Sequence, residues 1–296
     1  MEITKTGMFA IVGRPNVGKS TLLNALAGEK VAIVSDKPQT TRSRVMAVVN
    51  RDGGQYVFVD TPGFHKPRNR LGDFMMEIVD ETLSGTDAVV LVVEPAAPGK
   101  TEQTLMENIR ETGLDCLLVI NKIDTVAPEA LLPVIAAYQA QMEFRAVIPL
   151  SAKTKDGTEI LMQELEGLLE EGDPLFPEDV VSDQPERVLA AETIREKLLW
   201  KLDREVPHGT AVVIERYEQD ENGVWQIAAT IYVEKASHKA IVIGKGGAML
   251  KEIGRLARTD LERRLGDKVF LELWVKVKEG WRDNLYQMRN FGYEIE

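Results

Sequence analysis

Residues 13 to 20 read Gly13-Arg14-Pro15-Asn16-Val17-Gly18-Lys19-Ser20, placing two glycines, a lysine and a hydroxyl at the spacing of a polyphosphate cradle. Glycine at 13 and 18 opens backbone conformations closed to residues with a Cβ, so successive N–H groups turn inward at a helix N-terminus and form an anion site. The spacing predicts that Lys19 reaches the β- and γ-phosphates of a nucleotide and that the Ser20 hydroxyl ligates Mg²⁺, with Thr21 completing the loop. The apolar run 8–12 ahead and residues 21–26 behind supply the strand and helix this chemistry requires.

A second constellation follows the apolar run 116–120, which ends in Asn121-Lys122-Ile123-Asp124. A carboxylate at a strand's C-terminal end accepts two parallel hydrogen bonds from guanine N1–H and the 2-amino group, a donor pair that adenine does not offer. Asp124 is therefore the residue expected to select GTP. Asn121 is placed to tie this loop to the phosphate loop, and the Lys122 stem to lie over the base with its charge in solvent. Residues 147–150 lead into Ser151-Ala152-Lys153, where a backbone N–H near Ala152 is set to donate to the guanine 6-oxo group. Residues 56–59 run into Asp60-Thr61-Pro62-Gly63. Asp60 is expected to hold the Mg²⁺ waters, and the Gly63 N–H to sense the γ-phosphate. The polar stretch Ser35-Asp36-Lys37-Pro38-Gln39-Thr40-Thr41-Arg42 is the expected second switch, in which one threonine, Thr41 or Thr40, closes over Mg²⁺.

Each of these groups stands at the end of an apolar run, and in this order they resemble the translation-factor-related class of small GTPases. The resemblance implies a Ras-like α/β domain, a mixed, mostly parallel sheet with helices on both faces. It favours Thr41 over Thr40, because Thr-Arg before a strand is the usual placement in bacterial members. Ras-like enzymes carry a water-orienting glutamine where this chain has Phe64, and a phenyl ring neither orients nor deprotonates water. In relatives with the same phosphate loop, the asparagine at the position of Asn16 helps to hold a potassium ion beside the β–γ bridge, supplying the positive charge that an arginine finger supplies elsewhere. Lys19, Thr41, Gly63 and Asn16 are thus the candidates for the hydrolytic step, with GTP/GDP, Mg²⁺ and K⁺ as the implied ligands.

At 296 residues, with 44% hydrophobic and 28% charged residues, the chain suits two soluble domains. The single cysteine, Cys116, allows no disulfide within the chain and favours a cytosolic address. His65, His208 and His238 have no ligand spacing, which argues against a transition-metal site. The first seven residues lack an apolar signal core, and no run reaches the ~20 residues that span a bilayer. The net charge of −11 is unevenly spread. Residues 164–186 are acidic and contain Pro174, Pro177 and Pro185, which reads as a linker. Residues 235–268 hold nine basic against four acidic side chains, about +5, so an acidic motor is joined to a basic-faced module.

In that module the patterns predict a helix over 187–203, strands over 210–215 and 225–233 joined through Asp220-Glu221-Asn222-Gly223, and a short apolar segment at 240–243. A helix over 248–265 is expected to bury Leu250, Ile253, Ala257, Leu261 and Leu265, and a strand follows over 269–277. Together with Ile243-Gly244-Lys245-Gly246-Gly247, this order resembles the type II KH domain. There a glycine loop between two helices lets a sugar–phosphate backbone approach and clamps about four nucleotides of single-stranded RNA. Lys245, Lys251, Arg255 and Arg258 are the cations expected to meet it.

One GTPase domain followed by one KH domain, with Asn16 and Phe64 as described, is similar over its whole length to the Era-like GTPase family. The resemblance implies a GTPase domain at 1–175, an acidic linker at 176–190 and a KH domain with C-terminal tail at 191–296. It further implies a slow GTPase acting in 30S assembly and maturation, with the single-stranded 3′ end of 16S rRNA and the 30S subunit as partners. It points to a monomer that is cytoplasmic with a peripheral inner-membrane fraction. A different class remains beside it: a regulatory GTPase whose C-terminal domain binds a protein or anionic lipid, which would need only positive charge and not the glycines at 244–247.

Overall fold

The computed structural model describes residues 3–293, so residues 1, 2 and 294–296, the ends of the expected first domain and C-terminal tail, lie outside the described residues. The chain divides into two compact units: one runs to Pro67 and from Met75 to Asp183, the other comprises Arg68–Phe74 and the chain from Gln184.

The first unit is built as β1 (Lys5–Val12), α1 (Lys19–Ala27), β2 (Val45–Arg51), β3 (Gly54–Asp60), α2 (Arg70–Ser84, of which Arg70–Phe74 falls in the other unit), β4 (Ala88–Val93), α3 (Lys100–Thr112), β5 (Asp115–Ile120), α4 (Leu131–Gln139), β6 (Ala146–Pro149), α5 (Thr158–Glu166) and the two-residue β7 (Glu170–Glu171). The sheet order is β2-β3-β1-β4-β5-β6, with β7 beside β1. β1, β3, β4, β5 and β6 pair in parallel, while β2 is antiparallel to β3. Helices cover both faces, so the central strands read as unbroken apolar runs and not as alternations. Phe9 and Ile11 enter one core with Leu22, Leu23 and Phe58, while Ala10 and Val12 enter the opposite core with Leu91, Met106 and Ile109. Because the five strands are parallel, their C-terminal ends emerge on one edge of the sheet, and the loops that carry the sequence motifs converge there.

The expected linker 176–190 is structured. Its first part lies along β2: Val48 N–H donates to Val181 C=O at 2.9 Å and Ser182 Oγ to Met46 C=O at 2.8 Å, while Gln55 exchanges two hydrogen bonds with the Phe176 backbone. Its last residues begin α6 (Glu186–Lys201), with Pro185 as N-cap. Proline ends the preceding segment and presets the φ of the helix start, so one residue type stops one element and begins the next.

The second unit continues with β8 (Ala211–Gln219), β9 (Trp225–Val233), α7 (Ala236–Ile243), α8 (Ala248–Leu265), β10 (Val269–Val277) and α9 (Leu285–Asn290). β9 is central, antiparallel to β8 and parallel to β10. Residues 240–243, expected as a separate apolar segment, are the last turn of α7. β8 runs to Gln219 because a bulge between Ile214 and Arg216 restores its pairing after the register slips. Ile253, Ala257 and Leu261 enter the core as expected, whereas Leu250 and Leu265 are half-buried on its margin. No helix among the described residues is long and apolar enough to cross a membrane.

Candidate nucleotide site and nucleic-acid groove

The phosphate loop leaves β1 at Gly13 and enters α1 at Lys19. Gly18 stands at φ 98°, and a Cβ there would come within 2.3 Å of Asn121 Nδ2, so both backbone conformation and close packing demand glycine. Lys19 is only 6% exposed, and its ammonium donates to the Gly13 and Arg14 carbonyls at 3.2 and 3.1 Å. Burial lowers its pKa to about 8, against the opposing pull of Asp60. A buried cation whose direct hydrogen bonds go to two neutral carbonyls, with only the Asp60 charge beside it, is set to meet the further negative charge of a polyphosphate.

Asp60 ends β3, fully buried. Its Oδ2 accepts from Ser20 Oγ at 2.6 Å and from Thr41 Oγ1 at 3.4 Å, the two hydroxyls being 2.9 Å apart. Its Oδ1 is buried with no hydrogen-bond partner. Burial raises the Asp60 pKa to about 6, opposed by the Lys19 charge and the two hydroxyls. An all-oxygen set with one orphaned carboxylate oxygen fits Mg²⁺, which prefers hard oxygen ligands and keeps several waters. Thr40 instead donates to the Lys37 carbonyl at 2.6 Å, so Thr41 is the threonine that joins this set.

The guanine-side loops are tied as the sequence requires, with two differences. Asn121 Nδ2 donates to the Val17 carbonyl at 2.8 Å, locking this loop to the phosphate loop. Its Oδ1, however, accepts the Ala152 N–H at 2.9 Å, so of the backbone amides near Ala152 this one is engaged by Asn121. Asp124 stands exposed, oriented by Ser151 Oγ at 2.7 Å, and Lys153 is exposed beside it. The Lys122 ammonium, expected in solvent, is held by the Asn16 carbonyl at 2.6 Å and by Glu94. Glu94 and Glu102 also take Arg14, so this arginine points out of the phosphate loop.

Pro15, Asn16, Gly18, Lys19, Ser20, Thr21, Thr41, Gly63 and Lys122 line one cavity of about 370 Å³, together with residues 33–36, Gln39 and Thr40. Thr61 bonds to Ile11, and Pro62 is buried behind it. A Cβ on Gly63 would lie 2.7 Å from Pro15, and Phe64, packed on the apolar core under α2 and α3, sends its N–H to the Gly13 carbonyl at 3.0 Å. The phenyl ring packs half-buried on that core and offers no group that could orient water. Sequence reasoning gave no individual role to Asp36 and Gln39, named only as part of the switch at 35–42, or to His65 and Glu94, which matter through contacts that only the fold creates.

In the second unit, Gly244, Gly246 and Gly247 stand at φ 72°, 60° and 81° between α7 and α8. A Cβ at Gly246 or Gly247 would meet nothing within 4 Å, so that side of the loop is open to an approaching chain. Beside it, Leu250, Gly254, Leu271 and Leu273 line a groove of about 720 Å³ between α8 and β10, whose lining also includes Lys251, Arg255 and Arg258. Lys245, Lys251 and Arg258 are exposed with no ion pair among the described residues, while Ile243 packs half-buried beneath the loop. Arg255 differs from expectation. Glu252, one turn earlier on the same helix, takes it by two bonds of 2.9 Å and offsets its charge.

The description 50S ribosome-binding GTPase matches residues 8–122, and KH domain matches residues 205–282. A curated relative, the GTPase Era of Ruminiclostridium cellulolyticum, is 44% identical over 291 residues, 98% of each chain. The chain belongs to the GTPase Era family. A solved structure of Era in complex with MgGDPNP and nucleotides 1506–1542 of 16S ribosomal RNA is similar at TM-score 0.96 and 40% identity, covering 99% of this chain and 100% of that one. A variant of Aquifex aeolicus Era bound to GDP·AlF4⁻ is similar at TM-score 0.95 and 40% identity, covering 98% and 100%. As an Era-family GTPase, the chain hydrolyses GTP with Mg²⁺.

Proposed function

We propose that this chain is a nucleotide-gated RNA clamp: its KH groove takes the single-stranded 3′ end of 16S rRNA, and its GTP cycle times that grip during assembly and maturation of the 30S subunit. The observation that carries this reading is the groove itself, an apolar floor beside an open glycine loop with three unpaired cations. Bases can lie on Leu250, Leu271 and Leu273 while Lys245, Lys251 and Arg258 meet phosphates. The solved Era–RNA complex supports the choice of target. The reading extends to a monomer acting in the cytoplasm, with a fraction held peripherally at the inner membrane.

On the GTPase side, Lys19 meets the β- and γ-phosphates, Ser20 and Thr41 supply hydroxyls, and Asp60 holds the metal's waters. Mg²⁺ neutralises charge that develops on the transferred phosphoryl oxygens. Asn16 donates its amide to the Asp36 carbonyl at 2.7 Å, and its Oδ1 is the oxygen proposed for K⁺. Replacing potassium by sodium is expected to slow GTP turnover, and equal turnover in both salts removes K⁺ from the reading.

The test of the RNA function is binding of a short single-stranded RNA matching the small-subunit 3′ end, at fixed salt, with GDP or a non-hydrolysable GTP analogue. A Lys245→Asp/Gly246→Asp variant is compared with the unmodified chain. Tighter binding in the GTP state that the variant loses supports the clamp. Equal binding by both proteins, or none by either, moves a protein or lipid partner ahead.

A further inference from the structure

We infer that Gln39, within the switch at 35–42 but assigned no role by the sequence, and His65, just beyond the motif at 60–63, are positioning residues for GTP hydrolysis: together they clasp that switch to the loop that follows Gly63. His65 Nδ1 lies 2.8 Å from the Gly63 carbonyl oxygen and His65 Nε2 lies 3.3 Å from Gln39 Nε2. A carbonyl only accepts, so Nδ1 carries the proton. Nε2 is then the lone pair that receives the Gln39 amide N–H, and one neutral imidazole satisfies both partners.

Three features make this contact a functional one. The peptide unit between Gly63 and Phe64 is held at both ends, its carbonyl by His65 and its N–H by the Gly13 carbonyl of the phosphate loop. Gln39 is a non-glycine residue at φ 59°, a conformation that persists where the surroundings hold it, and its amide bond to His65 is one such restraint. Gln39, Thr41 and Gly63 also line the same cavity, so a shift of the clasp moves the wall that faces the γ-phosphate. Phe64 has no polar group on its side chain and cannot place water. Alignment therefore falls to the backbone at Gly63, which the clasp holds directly, and to the switch threonine Thr41, which lies two residues beyond Gln39 in the segment the clasp restrains. His65 lies outside the cavity lining and acts through them.

The test is a double-mutant cycle on the full chain with Mg²⁺: Gln39→Ala, His65→Ala and the pair, reading single-turnover GTP hydrolysis, KM and GDP affinity. Each single change is expected to slow hydrolysis between about tenfold and 100-fold, the scale of a small misplacement of reacting groups. GDP affinity and KM should stay within about twofold, and the pair should be no slower than the worse single variant. His65→Asn keeps a donor where Nδ1 stands and loses the arm to Gln39. Its rate should therefore become insensitive to Gln39→Ala. Multiplicative losses in the pair, unchanged hydrolysis in either single variant, or a loss confined to GDP affinity would each overturn the clasp.

Discussion

At the nucleotide cavity, Lys19 and Asp60 are buried and their partners are fixed carbonyls and hydroxyls. At the KH groove, Lys245, Lys251 and Arg258 stand in solvent on flexible stems. The first arrangement carries an electrostatic cost that ligand and metal relieve, so it binds small, highly charged groups with fixed geometry. The second spends little on organisation and collects phosphates by release of counterions, so its hold on a polyanion weakens with salt. One chain thus carries a rigid reader of a triphosphate and a permissive reader of a strand. Glycine serves both in different ways: Gly18 because Asn121 leaves no room, Gly246 because the backbone is left-handed in open space.

The contrast breaks first at Asp60. Its pKa is raised from 3.8 to about 6, so in the ligand-free protein this group lowers stability as pH rises from 3.8 through 6, by about 3 kcal/mol once fully ionised. Asp60→Asn is expected to remove that pH-dependent loss while abolishing Mg²⁺-dependent tight GTP binding. Denaturant unfolding of both proteins across pH 4–8 without ligand is the measurement, and parallel pH curves would show that the buried carboxylate stores nothing. A smaller effect is expected at Asp124, which is exposed: Asp124→Asn should weaken GTP about 100-fold through loss of a charge-assisted pair of hydrogen bonds to guanine. Equal affinity of the unmodified protein for ATP and GTP in competition titrations would refute that assignment. The mildest perturbation is Gly246→Ala, which puts a Cβ at φ 60° at a cost of about 1 kcal/mol. RNA titration should show weaker binding with GTP turnover unchanged; equal RNA binding would mean the loop does not need glycine.

Much of this site was legible because its chemistry is local. The phosphate loop, Asp60, Asn121 and Asp124 each follow an apolar strand, and a parallel sheet brings strand ends to one edge whatever the intervening lengths. Gly244 to Gly247 were likewise legible between two helical patterns. Other features depend on partners far away in the chain. Asn121 takes the Ala152 amide across 31 residues, Lys122 finds Glu94 across 28, and His65 meets Gln39 across 26. Residues 176–183 read as linker because acid and proline disfavour a helix, and the same composition is compatible with an extended strand-like path that borrows its hydrogen bonds from β2.

That path has a consequence for the molecule's solubility. β2 ends the sheet, and a bare row of strand N–H and C=O groups invites pairing with another chain. Phe176, Glu178, Val181, Ser182 and Asp183 use up part of that row and of the polar side chains beside it, covering it with a short, acidic, proline-containing segment. A GTPase fragment cut at residue 175 would uncover the edge directly after the switch at 35–42 and be prone to self-association, whereas one cut after Asp183 would keep its guard.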